Sequence, residues 1–297
     1  TAPPACGLRG RPWRGLMPEQ DGGAGRVRVS IIQMNQGSDK AANLDQARRL
    51  IEAAVAADRP DLVTLPETWT NLGGGREARN AAAEPLPEPG GTGGAAYEML
   101  RAAARANRIH VHGGSMIETG GINGGGGEKL FNTTVVFDPE GREIARYRKI
   151  HLFDITGPDG TGYRESALYG AGDRLVTFQA DGVTFGCTIC YDLRFAEHYI
   201  ALRRLGAEAI FIPTNFTLQT GKDHWEVLMR ARAIESQCWI LAAASHGSYE
   251  ERGATRFVYG HSLVCDPWGH VVAKCSDGTG WATARIDPAV TARVRRD

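Results

Sequence analysis

The stretch NTTVVFDPEGREIARYRK, residues 132–149, predicts a β-hairpin and indicates how the whole chain is organised. Two runs of β-forming residues flank the tetrad DPEG (138–141), in which proline presets φ and glycine closes the turn. The same pattern returns in HSLVCDPWGHVVAKC, residues 261–275, around the tetrad DPWG (266–269). The repeat is compatible with a duplicated unit and also with a coincidence, because hairpins of this kind are common.

Strands and helices alternate on both sides of the first hairpin, which favours duplication. Upstream, Ser38 or Asp39 is expected to cap the first of two amphipathic helices. The predicted upstream elements are strands 27–34, 61–67 and 109–116 and helices 38–57 and 95–107. The predicted downstream elements are strands 183–190, 209–213 and 238–244 and helices 197–205 and 222–237. Two similar halves predict an α/β fold in which two sheets pack face to face with helices outside.

Composition sets limits on the domain organisation and on the partners. The chain is 42% hydrophobic over 297 residues, enough for a sizeable core, and no linker separates the halves, so residues 26–297 are predicted to form one domain. Residues 1–25 are rich in Gly and Pro and contain no apolar segment typical of a secretory signal, so we interpret them as a flexible N-terminal extension.

Charge and cysteine content exclude several classes of function. Basic and acidic residues number 34 each, so the sequence gives no reason to expect binding to nucleic acid. No apolar run approaches the roughly 18–20 residues that cross a bilayer, so no membrane association is predicted. Several of the six cysteines lie in apolar runs, as reduced buried thiols do, which favours a reducing compartment and a cytoplasmic location.

Two cysteines stand three residues apart in GVTFGCTICYDLRF, residues 182–195. If residues 183–190 form one strand, Cys187 and Cys190 point to opposite faces and cannot both bind one zinc ion. A redox pair would open a helix, and a structural zinc site would need a second pair of ligands. Cys190, at the end of the strand before a turn, is therefore a candidate nucleophile, whereas Cys187 is interpreted as a core residue.

A cysteine nucleophile needs a base, because a free thiol has a pKa of about 8.5. Glu67 ends the apolar run LVTLP, and a carboxylate in a buried site can serve as that base. It is equally compatible with a turn or helix-capping role. Lys149 shares a face with Tyr147 if the strand continues, and an inward-facing lysine can stabilise an oxyanion. The alternative for Lys149 is an exposed lysine at a sheet edge.

Three segments occur together in a known order and spacing: TLPETW (64–69), YRKIHLFD (147–154) and CTICYDLRF (187–195). With them the chain resembles the nitrilase, or carbon–nitrogen hydrolase, superfamily over residues 26–288. Each motif alone is moderately specific, and all three in this order are highly specific.

The resemblance implies a role for four residues. Glu67 corresponds to the general base, Lys149 to the oxyanion-stabilising lysine and Cys190 to the nucleophile. The segment YRESALYGAGD, residues 163–173, matches the family segment with a second glutamate, which implies Glu165. The family fold is a four-layer αββα sandwich of two face-to-face sheets that dimerises to αββα–αββα, so a homo-oligomer is expected.

The residues after the nucleophile narrow the branch. Cys190-Tyr191-Asp192 differs from the Cys-Trp-Glu of true nitrilases and resembles the amidase-type branches, above all the deaminated glutathione amidase and ω-amidase group. This implies hydrolysis of the amide of a small, carboxylate-bearing molecule through a cysteine thioester, with release of ammonia and without a metal or another cofactor. The alternatives are an N-carbamoyl compound or a nitrile as substrate, and a non-catalytic scaffold or sensor.

Residues beside these motifs are candidates for substrate binding. The backbone N–H of Tyr191 is expected to help Lys149 hold the oxyanion. Trp69, Asn215 and Phe216 are expected to line the pocket, although each could be a core or loop residue. Arg194 could bind a substrate carboxylate or could pair with Asp192 or Glu197, and we favour the structural pairing.

Overall fold

The structure, a computed structural model, describes residues 25–88, 90–123, 127–157, 160, 162–251 and 253–296. Its helices are α1 (Lys40–Asp58), α2 (Gly75–Ala82), α3 (Ala95–Asn107), α4 (Ala196–Arg204), α5 (Leu218–Ser236) and α6 (Pro288–Arg296). The strands of the first half are β1 (Val27–Gln33), β2 (Leu62–Thr64), β3 (His110–His112), β4 (Met116–Asn123), β5 (Gly127–Phe137), β6 (Glu143–Arg148), β7 (Asp154–Thr156) and β8 (Gly162–Arg164). Those that follow are β9 (Thr177–Ala180), β10 (Val183–Cys187), β11 (Ala209–Phe211), β12 (Trp239–Ala242), β13 (His246–Glu251), β14 (Ala254–Tyr259), β15 (Leu263–Cys265), β16 (Val271–Lys274) and β17 (Gly280–Ile286). Two short 3₁₀ turns cover Glu165–Ala167 and Cys190–Arg194.

The two large sheets have the same internal arrangement. The first has the order β17-β1-β2-β3-β5-β4, with β6 also paired to β5, and the second has the order β16-β15-β12-β11-β10-β9. In each sheet three strands are parallel neighbours, β1-β2-β3 and β10-β11-β12. Antiparallel strands flank both triplets, β17 and β5 in the first sheet and β9 and β15 in the second. The shared order supports the interpretation of two similar halves in a mixed α/β fold.

Residues of the two large sheets share one apolar cluster. Side chains of the first sheet, such as Val29 and Leu62, pack in the same cluster as Phe185 and Phe211 of the second. His112 lies between the sheets with its ring stacked on Phe211 at 4.3 Å between centroids. Burial lowers the pKa of His112 to about 3, so the ring is neutral.

Helices pack against both sheets. Ile51 of α1 and Leu100 of α3 pack in a second cluster with residues of the first sheet such as Val63. Tyr199 of α4 and Met229 of α5 pack with the second sheet. Asp39 caps α1 by accepting a hydrogen bond from the backbone N–H of Ala42 at 3.1 Å, as one of the two predicted caps. Within the part of the chain that the structure describes, no helix combines the length and the apolar character needed to span a membrane.

The two predicted hairpin turns form, and they are alike in detail. Asp138 Oδ1 accepts hydrogen bonds from the backbone of Glu140 and Arg142, at 3.0 and 2.8 Å. Asp266 Oδ1 accepts from the backbone of Trp268 and His270, both at 2.9 Å. The closing residues of the two turns, Gly141 and Gly269, have φ of 74° and 86°, a conformation that favours glycine.

Several predicted boundaries are wrong. The strand predicted at 183–190 ends at Cys187, and the backbone, still extended at Ile189, turns left-handed at Cys190, whose φ is 45°. Helix α5 begins at Leu218 rather than at 222, with the Thr217 side chain as its cap. The sequence pattern did not predict α2 or β4, since both lie in glycine-rich segments where periodicity is weak.

Candidate active site

Lys149 lies between the carboxylates of two glutamates, Glu67 and Glu165. Its Nζ is 2.9 Å from Glu67 Oε1 and 2.9 and 3.1 Å from the two carboxylate oxygens of Glu165. Lys149 follows β6 directly, and Glu165 opens the first 3₁₀ turn. Lys149 is 2% exposed and Glu67 is 5% exposed, so these charges interact out of bulk water. Three of the residues predicted from motifs far apart in sequence therefore meet at one point.

The charge of Lys149 is maintained by its partners. Burial on its own would lower the pKa of this lysine. The carboxylates of Glu165 and Glu67 outweigh that effect and raise the pKa of Lys149 well above its usual value. The side chain is therefore a permanent cation at neutral pH, as expected of a group that stabilises negative charge.

Asn215 connects Glu67 to the second sheet. The Asn215 backbone N–H donates to Glu67 Oε2 at 2.9 Å, and its side-chain amide donates to the Glu67 carbonyl at 3.0 Å. Thr68, the next residue, has φ of 39°, which is strained for a β-branched side chain. Its hydroxyl accepts from Asn215 Nδ2 at 2.9 Å. These contacts fix the direction in which Glu67 points.

Cys190 opens the second 3₁₀ turn, three residues after β10. The left-handed backbone at Cys190 is held by a hydrogen bond from its N–H to the Pro213 carbonyl at 2.9 Å. Thr214 Oγ1 donates to Cys190 Sγ at 3.4 Å. Cys190 as a whole residue is 8% exposed, so its thiol lies in a buried site.

Cys190 and Cys187 are in different electrostatic surroundings. Burial raises the pKa of the Cys187 thiol, and no charged group contributes. Burial and the charge of Glu67 raise the pKa of the Cys190 thiol, whereas Lys149, the Thr214 hydroxyl and the Asn215 backbone N–H act in the opposite direction. The structure thus places the charges of Glu67 and Lys149 near Cys190, with Glu165 paired to the same lysine, whereas burial alone acts on Cys187.

Comparison with known proteins identifies the family. The carbon–nitrogen hydrolase family model matches residues 28–296. The chain belongs to the carbon–nitrogen hydrolase family. Within it, the hydrolase falls in the amidase-type branch, in agreement with the motifs.

Relatives of this hydrolase match it over most of their length. A deaminated glutathione amidase of Synechocystis is 37% identical over 271 residues, which are 90% of this chain and 94% of that protein. The omega-amidase NIT3 of Saccharomyces cerevisiae is 31% identical over 91% of this chain and 90% of its own length. The crystal structure of Saccharomyces cerevisiae Nit3, a member of branch 10 of the nitrilase superfamily, has a TM-score of 0.79 at 29% identity, covering 91% of this chain and 93% of that one.

Arg194 of the hydrolase lies one turn beyond Cys190 among aromatic rings. Its guanidinium lies 5.9 Å from the Tyr191 ring centroid and 5.5 Å from that of Phe216. Its one side-chain hydrogen bond among the described residues joins Nη2 and His224 Nδ1 at 3.3 Å. The expected pairing with Asp192 or Glu197 does not form, because Asp192 points inward to other donors. The charge of Arg194 therefore has no carboxylate partner in the described part of the chain.

The expectation that Trp69 lines the substrate pocket is wrong. Its indole has no exposed surface, packs among the residues behind the first sheet and donates from Nε1 to the Gly113 carbonyl at 2.8 Å. A side chain with no accessible surface cannot contact a substrate in this structure, so Trp69 is a core residue. Phe216, which is 6% exposed, and the partly exposed Asn215 remain beside Cys190.

Asn132 and Asp192 are two of the polar residues of the hydrolase site whose roles sequence reasoning does not predict. Asn132 donates from Nδ2 to Glu67 Oε1 at 2.9 Å. The sequence motif marks Asp192 only as a residue typical of the branch, whereas the structure shows that its side chain is wholly buried and accepts a hydrogen bond from Tyr147 Oη at 2.6 Å. It also accepts from the backbone N–H of Ile189 at 2.8 Å, so the Asp192 carboxylate links the start of the nucleophile turn to Tyr147 of β6. A lone Asn in a β run gives no sequence signal, whereas the Tyr147 to Asp192 contact spans two motifs.

His151, Asp192 and His198 form the one group among the described residues whose ligand atoms are close enough for a metal ion. Asp192 Oδ1 already accepts from His151, at 3.0 Å from its backbone N and 2.7 Å from its Nδ1. Asp192 Oδ2 accepts from Tyr147 and Ile189. An ion would have to displace these hydrogen bonds, so the group is better explained as a structural network around the nucleophile turn.

Proposed function

We propose that the protein hydrolyses an amide bond of a small, carboxylate-bearing molecule through a cysteine thioester and releases ammonia. The observation that carries the proposal is the meeting of Lys149 with Glu67 and Glu165 beside the buried thiol of Cys190, on which the charges of Glu67 and Lys149 act. Relatives named deaminated glutathione amidase and omega-amidase support the same chemistry and the same type of substrate.

Acyl transfer begins with the thiol. Because burial raises the pKa of Cys190, the resting group is protonated and needs a base. Glu67 takes the thiol proton as Sγ attacks the amide carbonyl, and the C–S bond forms. Glu67 then protonates the leaving nitrogen, so the C–N bond breaks and ammonia departs. A water molecule that gives its proton to Glu67 attacks the thioester, releasing the acid and restoring the thiol.

Two donors stabilise the oxyanion. Lys149 supplies a buried cation, and Tyr191 supplies a backbone N–H from the start of a 3₁₀ turn, where such groups lack a partner within the helix. Losing one such donor typically costs about 3–4 kcal/mol of transition-state stabilisation. Glu165 orients Lys149 through two contacts and is itself held by the backbone N–H of Phe153 at 2.6 Å. No cofactor takes part in these steps.

Arg194 is proposed to bind the carboxylate of the substrate. It has no acidic partner within the described residues, lies one turn from Cys190 and is flanked by the rings of Tyr191 and Phe216. A guanidinium held against aromatic faces is well suited to bind a carboxylate in two-pronged geometry. Phe216 and Asn215 complete this side of the proposed pocket.

The layered architecture and the assembly are further proposals. The two facing sheets with helices outside are consistent with a four-layer αββα sandwich over residues 26–297, and residues 1–24 lie outside the described part. Two copies are proposed to pair as αββα–αββα through the outer face of α5, where Val227 and Ile234 are 69% and 53% exposed beside Trp268, which is 64% exposed. Five described cysteines are free and buried, which supports a reducing, cytoplasmic location.

The decisive experiment compares the two cysteines. Ammonia release would be measured over a panel of amides of α-keto acids and other small acids, with N-carbamoyl compounds and a simple nitrile included. We expect Cys190→Ala to abolish release and Cys187→Ala to retain most of it, because only Cys190 faces Glu67 and Lys149. Equal loss in both variants would contradict the proposal. A preference for the carbamoyl compounds or for the nitrile would keep the nucleophile and change the substrate class. No acyl-enzyme adduct at Cys190 over the whole panel would favour a non-catalytic protein.

The substrate carboxylate is tested at Arg194. Arg194→Leu is expected to raise KM about 10- to 100-fold for acid amides, because a hydrogen bond to a charged group contributes about 1.5–3 kcal/mol. Neutral amides of the same size should be unaffected, and Arg194→Lys should recover part of the loss. An equal effect on acidic and neutral amides would show that Arg194 supports the turn rather than the substrate.

A further inference from the structure

We propose that Asn132 is a positioning residue of the reaction, one that holds Glu67 and Glu165 against Lys149 without adding charge to the buried cluster. This inference rests on the proposed function, since it concerns the same site. It follows from the contacts of the Asn132 side chain and main chain, from an unpartnered atom in that side chain and from the charges around it.

Asn132 contacts all three charged members of the cluster. Its Nδ2 donates to Glu67 Oε1 at 2.9 Å, the same oxygen that Lys149 Nζ contacts at 2.9 Å. The same Nδ2 is 3.5 Å from Glu165 Oε1. Its backbone carbonyl accepts from the Lys149 backbone N–H at 2.9 Å, so the main chain of β5 also positions the lysine. One residue therefore fixes both carboxylates and the cation between them.

The orientation of the Asn132 amide is determined by its surroundings. The residue is 1% exposed, and its Oδ1 has no hydrogen-bond partner among the described residues. Rotating the amide by half a turn would place Oδ1 against Glu67 Oε1, where two acceptors would repel each other. A buried acceptor without a partner is costly to keep. This cost is accepted at Asn132 because only this orientation of the amide lets Nδ2 donate to the Glu67 carboxylate.

The charges explain why a neutral donor suits this position. Glu67 and Glu165 bring two negative charges and Lys149 brings one positive charge, so the ionised cluster already has one excess negative charge. The other titratable groups that face it are the thiol of Cys190 and the phenol of Tyr169, both uncharged, because burial raises their pKa values. A carboxylate in place of Asn132 would give the cluster two excess negative charges in a buried site. Repulsion between these charges would raise the pKa of the carboxyl groups, so that one of them would bind a proton more readily.

The variant Asn132→Asp tests the effect of an added negative charge, because the two side chains have nearly the same shape. We expect the acid limb of its pH–rate profile for kcat/KM to have an apparent pKa about one unit or more above that of the wild type. The reason is that the added negative charge makes the carboxyl groups of the cluster bind protons more tightly. Asn132→Leu removes the donor without adding charge. It should lower kcat about 10- to 100-fold, with little change in KM and no new ionisation.

A charge-balanced double variant separates positioning from packing. Asn132→Asp combined with Glu165→Gln restores the original number of carboxylates, so its profile should return towards that of the wild type even if its rate stays low. If all three variants lose activity only in proportion to a lower Tm, and their profiles superimpose on the wild type after scaling, Asn132 is merely a packing residue and the proposal is overturned.

A measurement that needs no amide substrate separates the proposed amidase function from the proposed positioning role of Asn132. The pH dependence of Cys190 alkylation by iodoacetamide, followed by intact mass, reports the same cluster. The displaced ionisation of Asn132→Asp should appear there as well. If the wild type releases no ammonia from any amide yet alkylation shows the displacement, the proposed function fails while the positioning role stands. If alkylation of all variants follows the wild-type profile, the positioning role fails.

Discussion

The first and second sheets place different chemistry at equivalent positions. Each contains three parallel strands, and in every case the third residue after the strand lies at the candidate site. In the first sheet these residues are Gln36, Glu67 and Ser115 after β1, β2 and β3, and in the second they are Cys190, Thr214 and Ser245 after β10, β11 and β12. The first set contains the proposed base, and the second contains the proposed nucleophile.

The two sets meet across the boundary between the sheets. Gln36 Nε2 donates to Ser245 Oγ at 2.5 Å and to the Glu67 carbonyl at 3.1 Å. Within the second set, Thr214 donates to Cys190. Strand ends in parallel sheets commonly present functional groups. The comparison shows that the repeated framework brings six residues together, whereas the identity of single residues, above all Glu67 and Cys190, determines what the site can do.

Among substitutions at these six equivalent positions that leave the nucleophile in place, we expect the largest loss of activity at Glu67. Glu67→Gln keeps the shape but removes the base, so kcat for ammonia release should fall about 10²- to 10⁴-fold, the usual contribution of general acid–base catalysis. Single-turnover measurements with an acid amide would show whether thioester formation is the step that slows.

A second buried glutamate of the first half gives the control. Glu84, 3% exposed, accepts from the Ala96 backbone N–H at 2.8 Å and pairs with Lys40 at 2.7 Å, away from Cys190. Glu84→Gln should lower stability and leave kcat close to the wild type. A comparable fall in kcat for both variants would mean that loss of any buried carboxylate disturbs the site, and Glu67 would have no special role.

A smaller effect is expected at Thr214, the counterpart of Glu67 in the second sheet. Thr214→Val removes the hydroxyl that donates to Cys190 Sγ at 3.4 Å, and this hydrogen bond lowers the pKa of the thiol. The pKa of Cys190 should therefore rise further, and alkylation by iodoacetamide at neutral pH should slow about five- to tenfold. A loss as large as that of Glu67→Gln would contradict the division of chemistry between the sheets.

The sequence is sufficient for most elements of the two large sheets and for the residues that sit in motifs. Periodicity predicts α1, α3, α4, α5 and the two hairpins because their patterns are local, whereas it does not predict α2 or α6. The prediction that Cys187 and Cys190 do not form one site agrees with the structure, but the argument from alternation along a single strand is wrong. Cys190 leaves the strand through a left-handed backbone rather than alternating along it.

Residues outside motifs were harder to predict, because their roles depend on contacts between distant segments. Asn132 meets Glu67 across 65 residues of sequence, and nothing in a β run distinguishes it from a core position. Trp69 was expected at the pocket because it adjoins Glu67, yet the strained turn at Thr68 directs it into the core. Arg194 was expected to pair with Asp192, whose oxygens accept from Tyr147, His151 and Ile189 instead.

The smallest effects should distinguish Ser115 from Ser245, the third pair of counterparts. Ser115 Oγ accepts from the Thr68 backbone N–H at 2.9 Å, and no other acceptor among the described residues serves that group. Ser115→Ala should therefore lower the free energy of unfolding by about 1–2 kcal/mol, because it leaves a part-buried N–H without an acceptor. Ser245→Ala should cost only about 0.5–1 kcal/mol, because Gln36 Nε2 keeps the Glu67 carbonyl at 3.1 Å and Asn215 Oδ1 at 3.3 Å as acceptors. Urea unfolding monitored by tryptophan fluorescence measures both. A larger loss in Ser245→Ala would show that the contact between the sheets, rather than the strained turn after Glu67, is the more sensitive part of the framework.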